Sequence, residues 1–275
     1  LIRFLKIIDG IVKFFYFCSL FLILSSYFLF LFIIFYYCSL FFLLPILDLI
    51  YRGKKYTDPI NQKSYRDFLN YGHVKTRKSV LSPGTLSLER HRLLWLFLNR
   101  ETDFFKKKSK VLHIAPEIAF IKKISSIKNI DYYSCDLNSP LAKIKADICN
   151  LPFENKYFDW VLCNHVLEHI KDDKSAIKEI FRVLKPGGKA IMQVPLNKNL
   201  KKTVEDDSIT KKEDRIRVFG QYDHLRVYGL DYFKKLQAVG FYVEKIKYGS
   251  KLSVDEIARY RVTKDEYIPL CTKTK

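Results

Sequence analysis

No two of the six cysteines stand in a C-x-x-C pair. That spacing is the usual signature of a zinc ribbon or a redox dithiol, so both are excluded. Nothing argues for disulfides either, which points to a reducing compartment. Cys135 and Cys163 read as small core residues of strands. Negative charge is also scarce: 29 acidic residues face 48 basic ones, for a net charge of +19. Such a balance suits anionic lipid or nucleic acid, and it also suits lysines spread over solvated faces.

Charge is missing altogether from Phe14 to Leu47, a run dense in Phe, Leu, Ile and Tyr. It exceeds the roughly 20 apolar residues that cross a bilayer. As one straight helix it would reach about 50 Å, against a hydrocarbon core of about 30 Å. It therefore either lies partly along the interface or folds back near Ser25-Ser26. Basic residues flank it on both sides, Arg3, Lys6 and Lys13 before, Arg52, Lys54 and Lys55 after. That symmetry fits a hairpin with both ends inside and fixes no single-pass orientation. The competing reading takes residues 1–50 as a mis-started or truncated frame. The expected organisation is a membrane segment over 1–50, a polar linker over 51–91, a catalytic domain over 92–250 and a C-terminal tail over 251–275.

The middle of the chain alternates helical and strand patterns. Leu88 to Leu98 has the spacing of an amphipathic helix. Short apolar strands are predicted over Lys110–Ile114, Ile130–Ser134, Asp159–Cys163 and Ala190–Val194, with a weaker edge over Ala142–Ile148. Helices are predicted over Ile118–Ile124, Asp172–Leu184 and Leu230–Val239, the last ended by Gly240. A closing strand follows over Phe241–Ile246. Lys198 to Arg217 is highly charged without an apolar period and reads as a mobile insert. Such alternation implies a parallel sheet covered on both faces.

The most informative stretch runs from Asp147 through Leu151-Pro152-Phe153 and Phe158-Asp159 to His165-Val166-Leu167-Glu168-His169, then on to Val183-Leu184-Lys185-Pro186-Gly187-Gly188. The ordered set resembles the second half of a class I S-adenosylmethionine-dependent methyltransferase, of the methyltransferase type 11 kind. The resemblance implies a Rossmann-like, doubly wound, mostly parallel seven-stranded sheet, preceded here by the hydrophobic N-terminal segment. It also implies S-adenosyl-L-methionine as cofactor, lying across the carboxyl ends of the first strands.

On that resemblance Asp136, at the end of the second strand, accepts the ribose hydroxyls, with Leu137 beside it. Asp147 holds the adenine amine and Ile148 packs on the ring. Asn164 stands at the end of the fourth strand. The first loop departs from the family's acid-x-Gly-x-Gly-x-Gly. It reads His113-Ile114-Ala115-Pro116-Glu117, so His113 replaces the acid and the glycines are gone. Ala115 still permits fairly close approach, and Glu117 is a candidate partner for the cofactor ammonium. A bacterial subset of these enzymes shares such a loop, with a zinc ribbon ahead of a Ser-Leu-Glu-Arg-His-Arg helix. This chain has Ser87-Leu88-Glu89-Arg90-His91-Arg92 but places Asp58, Asn61, Ser82 and Thr85 where the thiolates would stand. None is a good zinc ligand, so the ribbon shape is expected without metal, and no metal ligand is assigned.

Methyl transfer requires alignment, plus removal of a proton from an oxygen or nitrogen acceptor. In Gly220-Gln221-Tyr222-Asp223-His224-Leu225-Arg226-Val227-Tyr228, His224 oriented by Asp223 is the candidate base. Arg226 and Tyr228 are candidate acceptor contacts, and His165 lines the acceptor side. The corner Asn164-His165-Val166-Leu167 lacks the Asn/Asp-Pro-Pro-Tyr of base-methylating enzymes, which counts against nucleic acid. The expected function is methyl transfer to a small-molecule, lipid or glycan-precursor acceptor at the cytoplasmic membrane face. The rivals are a nucleic-acid methyltransferase and a membrane-bound scaffold that lost catalysis. The sequence sets neither the acceptor nor the oligomeric state.

Overall fold

The computed structural model describes residues 44–72 and 76–274. Almost all of the uncharged run from Phe14 to Leu47 lies outside them. Among the described residues no helix is long and apolar enough to cross a membrane. Contacts divide the chain at Leu49/Ile50, and the folded unit described below is Ile50–Lys275.

The segment expected as a polar linker is built of two small antiparallel pairs. β1 (Arg52–Asp58) pairs with β2 (Lys63–Tyr65), and β3 (Leu69–Tyr71) with β4 (Arg77–Leu81). The residues at the four ribbon positions lie in two turns of the same geometry. Gln62 N–H donates to Asp58 O at 2.8 Å and Leu86 N–H to Ser82 O at 2.9 Å. Gln62 and Leu86 both take left-handed φ, +61° and +57°. Asp58 is fully buried and joins the two turns. Its carboxylate accepts from Thr85 Oγ1, from Ser87 Oγ at 3.0 Å and from Ile60 N–H at 2.9 Å.

α1 (Glu89–Glu101) follows. It is more than amphipathic: every residue from His91 to Leu98 is buried. Arg92 survives there because its guanidinium donates to Ser87 O at 2.5 Å, Tyr260 O at 2.7 Å and Arg261 O at 2.8 Å. The last two are carbonyls at the end of a later helix, Val254–Tyr260, which a buried cation can satisfy.

The central sheet is then laid down by β5 (Ser109–Ile114), α2 (Ile118–Ser125), β6 (Ile130–Asp136), the two-residue β7 (Ile144–Lys145) and β8 (Phe158–Cys163). α3 (Asp173–Val183) leads into β9 (Leu184–Ile191). The expected Lys185–Gly188 turn is absorbed at the start of β9, where the register slips between Phe158↔Leu184 and Trp160↔Lys189. The charged insert is not structureless. It carries β10 (Val204–Glu205), paired with β11 (Arg226–Val227), and α4 (Lys212–Phe219), stopped by Gly220 at φ +86°. α5 (Tyr232–Ala238), β12 (Phe241–Ile246), α6 (Val254–Tyr260) and β13 (Ile268–Lys273) complete the unit.

Strand order is β12-β13-β9-β8-β5-β6-β7. β9 to β7 are parallel and β13 runs antiparallel to both neighbours. The mostly parallel seven-stranded sheet is the expected one. The tail is not: β13 belongs to residues 251–275, yet it sits inside the sheet. Lys273 also reaches back from it to donate to Phe181 O and Leu184 O at the end of α3, at 2.7 and 2.8 Å.

Both sheet faces are buried, and successive residues of one strand serve different cores. Val161 and Cys163 of β8 join Ile177 and Ile180 of α3 and Phe233 and Leu236 of α5. Trp160 and Leu162 join Leu93 to Leu98 of α1 and Phe120 of α2. The chain leaves β5 toward β6 and β7, and returns through β8 on the other side. The strand order therefore reverses between β5 and β8, and a crevice opens at their carboxyl ends.

Candidate active site

The crevice is framed by two residues held in left-handed backbone. Ala115, just past β5, has φ +48°, and His165, just past β8, has φ +55°. Side chains other than glycine take this conformation at a cost, and such strain concentrates at functional sites. Ala115 N–H donates to Cys135 O at 2.9 Å and His165 N–H to Gln193 O at 2.8 Å. Each corner is thereby pinned to the strand next to it.

Glu117 closes the crevice from above β5. Its carboxylate lies 2.7 Å from His91 Nε2 and 3.9 Å from Arg90 Nε, and accepts from Asn164 Nδ2 at 3.1 Å. Leu88 N–H donates to His91 Nδ1 at 3.1 Å. An acceptor at Nδ1 puts the neutral ring's proton on Nε2, facing the carboxylate. Burial disfavours the charge of Glu117, but His91, His113 and Arg90 prevail and hold its carboxyl well below the usual range. Burial pulls the His91 imidazole downward, against the pull of Glu117. The carboxylate offered by the sequence to a cofactor ammonium is thus already partnered by α1 and β8.

His113 is fully buried under the loop, 2.9 Å from Tyr132 Oη. It is a core residue rather than a cofactor contact. Asp136 and Asp147 both form turns with their own loops. Asp136 Oδ1 accepts from Asn138 and Ser139 N–H at 2.7 and 2.6 Å, and Asp147 Oδ1 from Cys149 N–H at 2.8 Å. The second oxygen of each is left for another partner. Leu137 is half exposed beside Asp136, while Ile148 is buried against the core.

On the other side of the switch point, a cavity of about 630 Å³ opens past β8 and β9. His165 lines it, with Leu196, Tyr232 and Phe233 as apolar wall and Arg77, Arg90 and Lys198 as cations. Glu266 lines it too, and burial raises its carboxyl pKa. Sequence reasoning missed Glu266, which lies in the presumed tail, and Arg77, which lies in the presumed linker.

The Asp223–His224 pair is not formed as expected. His224 Nδ1 donates to Phe219 O at 3.2 Å, and its pKa is lowered by burial. Asp223 instead meets His169 Nδ1, with its carboxylate at 3.4 Å and its carbonyl at 3.2 Å. Neither His224 nor Asp223 lines the 630 Å³ cavity. Arg226 and Tyr228 are likewise occupied. The Arg226 guanidinium donates to Leu167 O, Ile170 O and Lys171 O and pairs with Glu205 at 2.8 Å. Tyr228 is fully buried with its hydroxyl 2.7 Å from Asp173 Oδ2. Both hold the Leu167–His169 turn and α3 in place.

Residues 122–192 match the methyltransferase domain family Methyltransf_11. The chain is 32% identical over 137 residues to an uncharacterized protein of Methanocaldococcus jannaschii, covering 48% of this chain and 56% of that one. It is 42% identical over 50 residues to the 2-phytyl-1,4-naphtoquinone methyltransferase of Nostoc punctiforme, covering 18% and 22%. The chain therefore spans little more than half of the first relative and about a fifth of the second. A solved SAM dependent methyltransferase from Archaeoglobus fulgidus aligns over 66% of this chain and 93% of its own, at 17% identity and a TM-score of 0.42. Across residues 122–192 this chain is similar to methyltransferase domains, the same stretch that holds most of its ordered motifs.

Proposed function

We propose that the protein transfers the methyl group of S-adenosylmethionine to an oxygen or nitrogen of a small molecule with an apolar ring or chain and an anionic group. The observation that carries this reading is the 630 Å³ cavity beside the switch point, with Tyr232 and Phe233 on its wall and with Arg77, Arg90 and Lys198 outnumbering Glu89, which pairs with Arg77 at 2.7 Å, and Glu266. Cofactor ribose and adenine are assigned to Asp136 and Asp147, on the β6 and β7 side. His165 stands between the two regions and replaces His224 as the candidate base. The sulfonium supplies the activated methyl; the chain supplies orientation, exclusion of water and a proton acceptor. Lipid-linked precursors and other membrane-associated acceptors that carry a hydroxyl or amine beside an anionic group fit this chemistry. The uncharged N-terminal run would bring such a cavity to the cytoplasmic face of a membrane.

The test is transfer of labelled methyl by the purified full-length protein to a cell extract divided into lipid, glycan, small-molecule, protein and RNA fractions. Label in the lipid or small-molecule fraction supports the reading, and label in RNA alone overturns it. One observation favours a second reading, a binding protein without turnover: Ala115 stands where the family has glycine, and Glu117 is already paired. Calorimetry with S-adenosylmethionine separates the two, since tight cofactor binding without any labelled product would leave only the second.

A further inference from the structure

Glu168, His169 and His224 do not line the cavity, yet the three come together. One potential ligand atom each from Glu168, His169 and His224 lie within 4.8 Å of one another. Glu168 is 1% exposed, and neither of its carboxylate oxygens has a hydrogen-bond partner. The nearest imidazole outside the cluster is His165, whose Nδ1 is 3.5 Å from Glu168 Oε1. A buried carboxylate without donors is costly and calls for a cation.

The two histidines are arranged to accept one. His224 Nδ1 faces Phe219 O and His169 Nδ1 faces Asp223 O, both at 3.2 Å. A carbonyl can only accept, so each Nδ1 carries the proton and each Nε2 presents a lone pair. Fixing the tautomer through the far nitrogen is the arrangement typical of metal-ligating histidine. The backbone is braced as well. Leu225 N–H donates to Glu168 O at 2.9 Å, and the guanidinium of Arg226 clamps the carbonyls of Leu167, Ile170 and Lys171.

From this we infer a divalent-cation site of the zinc class, held by Glu168, His169 and His224. Two imidazoles and one carboxylate favour Zn²⁺, Co²⁺ or Fe²⁺ over Mg²⁺ or Ca²⁺. Three atoms no more than 4.8 Å apart share a point at most about 2.8 Å from each, against bonds of roughly 2.0–2.2 Å. Binding therefore draws each ligand inward by at most about 0.7 Å, within reach of small side-chain rotations. Three protein ligands leave a fourth position open. The His169 side chain is 30% exposed, so the cluster can be reached from solvent. The site ties the Leu167–His169 turn to the 219–226 loop, and through Glu168 it sets the charge beside His165.

The experiment is titration of the chelator-stripped full-length protein with Zn²⁺ and Co²⁺, followed by calorimetry, visible Co²⁺ absorption and thermal unfolding. No cofactor or acceptor is needed, so failure here leaves the methyl-transfer reading standing, and the reverse also holds. One equivalent is expected to bind and to raise Tm. His169→Ala and His224→Ala should each weaken binding at least about tenfold and abolish the Co²⁺ bands. Glu168→Gln, which keeps the shape, should remove the Tm rise, whereas Cys149→Ser should leave everything unchanged. Absence of saturable binding to the unmutated chain, or equal binding by the His169→Ala/His224→Ala double variant, overturns the site.

Discussion

The carboxyl edge of the sheet differs in charge balance on the two sides of the switch point, with carboxylates on one and three cations against Glu89 and Glu266 on the other. On the β6 and β7 side stand Asp136 and Asp147, each using one carboxylate oxygen to shape its own loop. On the β8 and β9 side the cavity is met by Arg77, Arg90 and Lys198. The proposed function assigns the first side to the cofactor and the second to the acceptor. Glu117 lies at the divide and is tied to α1 and β8. Charges arranged this way bias ligands by sign as they approach.

This division can be broken from several directions. The largest effect should come from a cation that belongs to neither side. Arg226→Met strands three backbone carbonyls, so it should cost roughly 2–4 kcal/mol of stability. Chemical denaturation would measure this, and the acceptor KM of the surviving folded fraction should be unchanged. A raised KM at normal stability would return Arg226 to the acceptor side.

His165→Ala comes next. Turnover should fall by about a hundredfold while cofactor affinity holds. Equal loss of both would make His165 a structural corner only. Asp136→Asn is the gentler probe of the other side. It retains the oxygen that accepts from Asn138 and Ser139 N–H and removes only the charge. Cofactor affinity by calorimetry should drop about tenfold, or 1.4 kcal/mol, with little change in acceptor KM.

The smallest effect is a slope with pH. His91 and Glu117 both have lowered pKa values in the folded protein. The unfolded chain therefore binds more protons, and stability is lost as pH falls. The His91 contribution begins to fade below its ordinary 6.5 and that of Glu117 below 4.5. Tm measured from pH 7.5 downward should decline through both windows. Glu117→Gln should flatten the lower one, and an unchanged profile would show that the divide is not held by charge.

Much of the fold was legible because both faces of the parallel strands are buried, which leaves short dense apolar runs such as Val111–Ile114 and Trp160–Cys163. β13 was not legible: Pro269 and Lys273 interrupt its pattern, and only its neighbours reveal the strand. β10 and α4 were hidden by a segment without apolar period. The site divided in the same way. Asp136 ends β6 and Asp147 lies in the loop just past β7, near the strand ends that the pattern predicts. Glu117, Arg226 and Tyr228 show the right residue types, but their partners come from distant segments that spacing cannot bring together. His224 followed the same course, since a neighbouring aspartate in sequence is not the group its ring meets in space.

The position of β13 also constrains the order of assembly. β12 leaves the ribosome first, but its place in the sheet is outside β13, with β9 on the far side. Until residues 268–273 emerge, β9 and β12 both present open edges, and unpaired edges recruit other chains. A nascent chain stalled in α6 would hold most of its hydrophobic cores and no closed sheet. The short strand between them is thus made after both of its neighbours and is the one that joins β12 to the rest of the sheet.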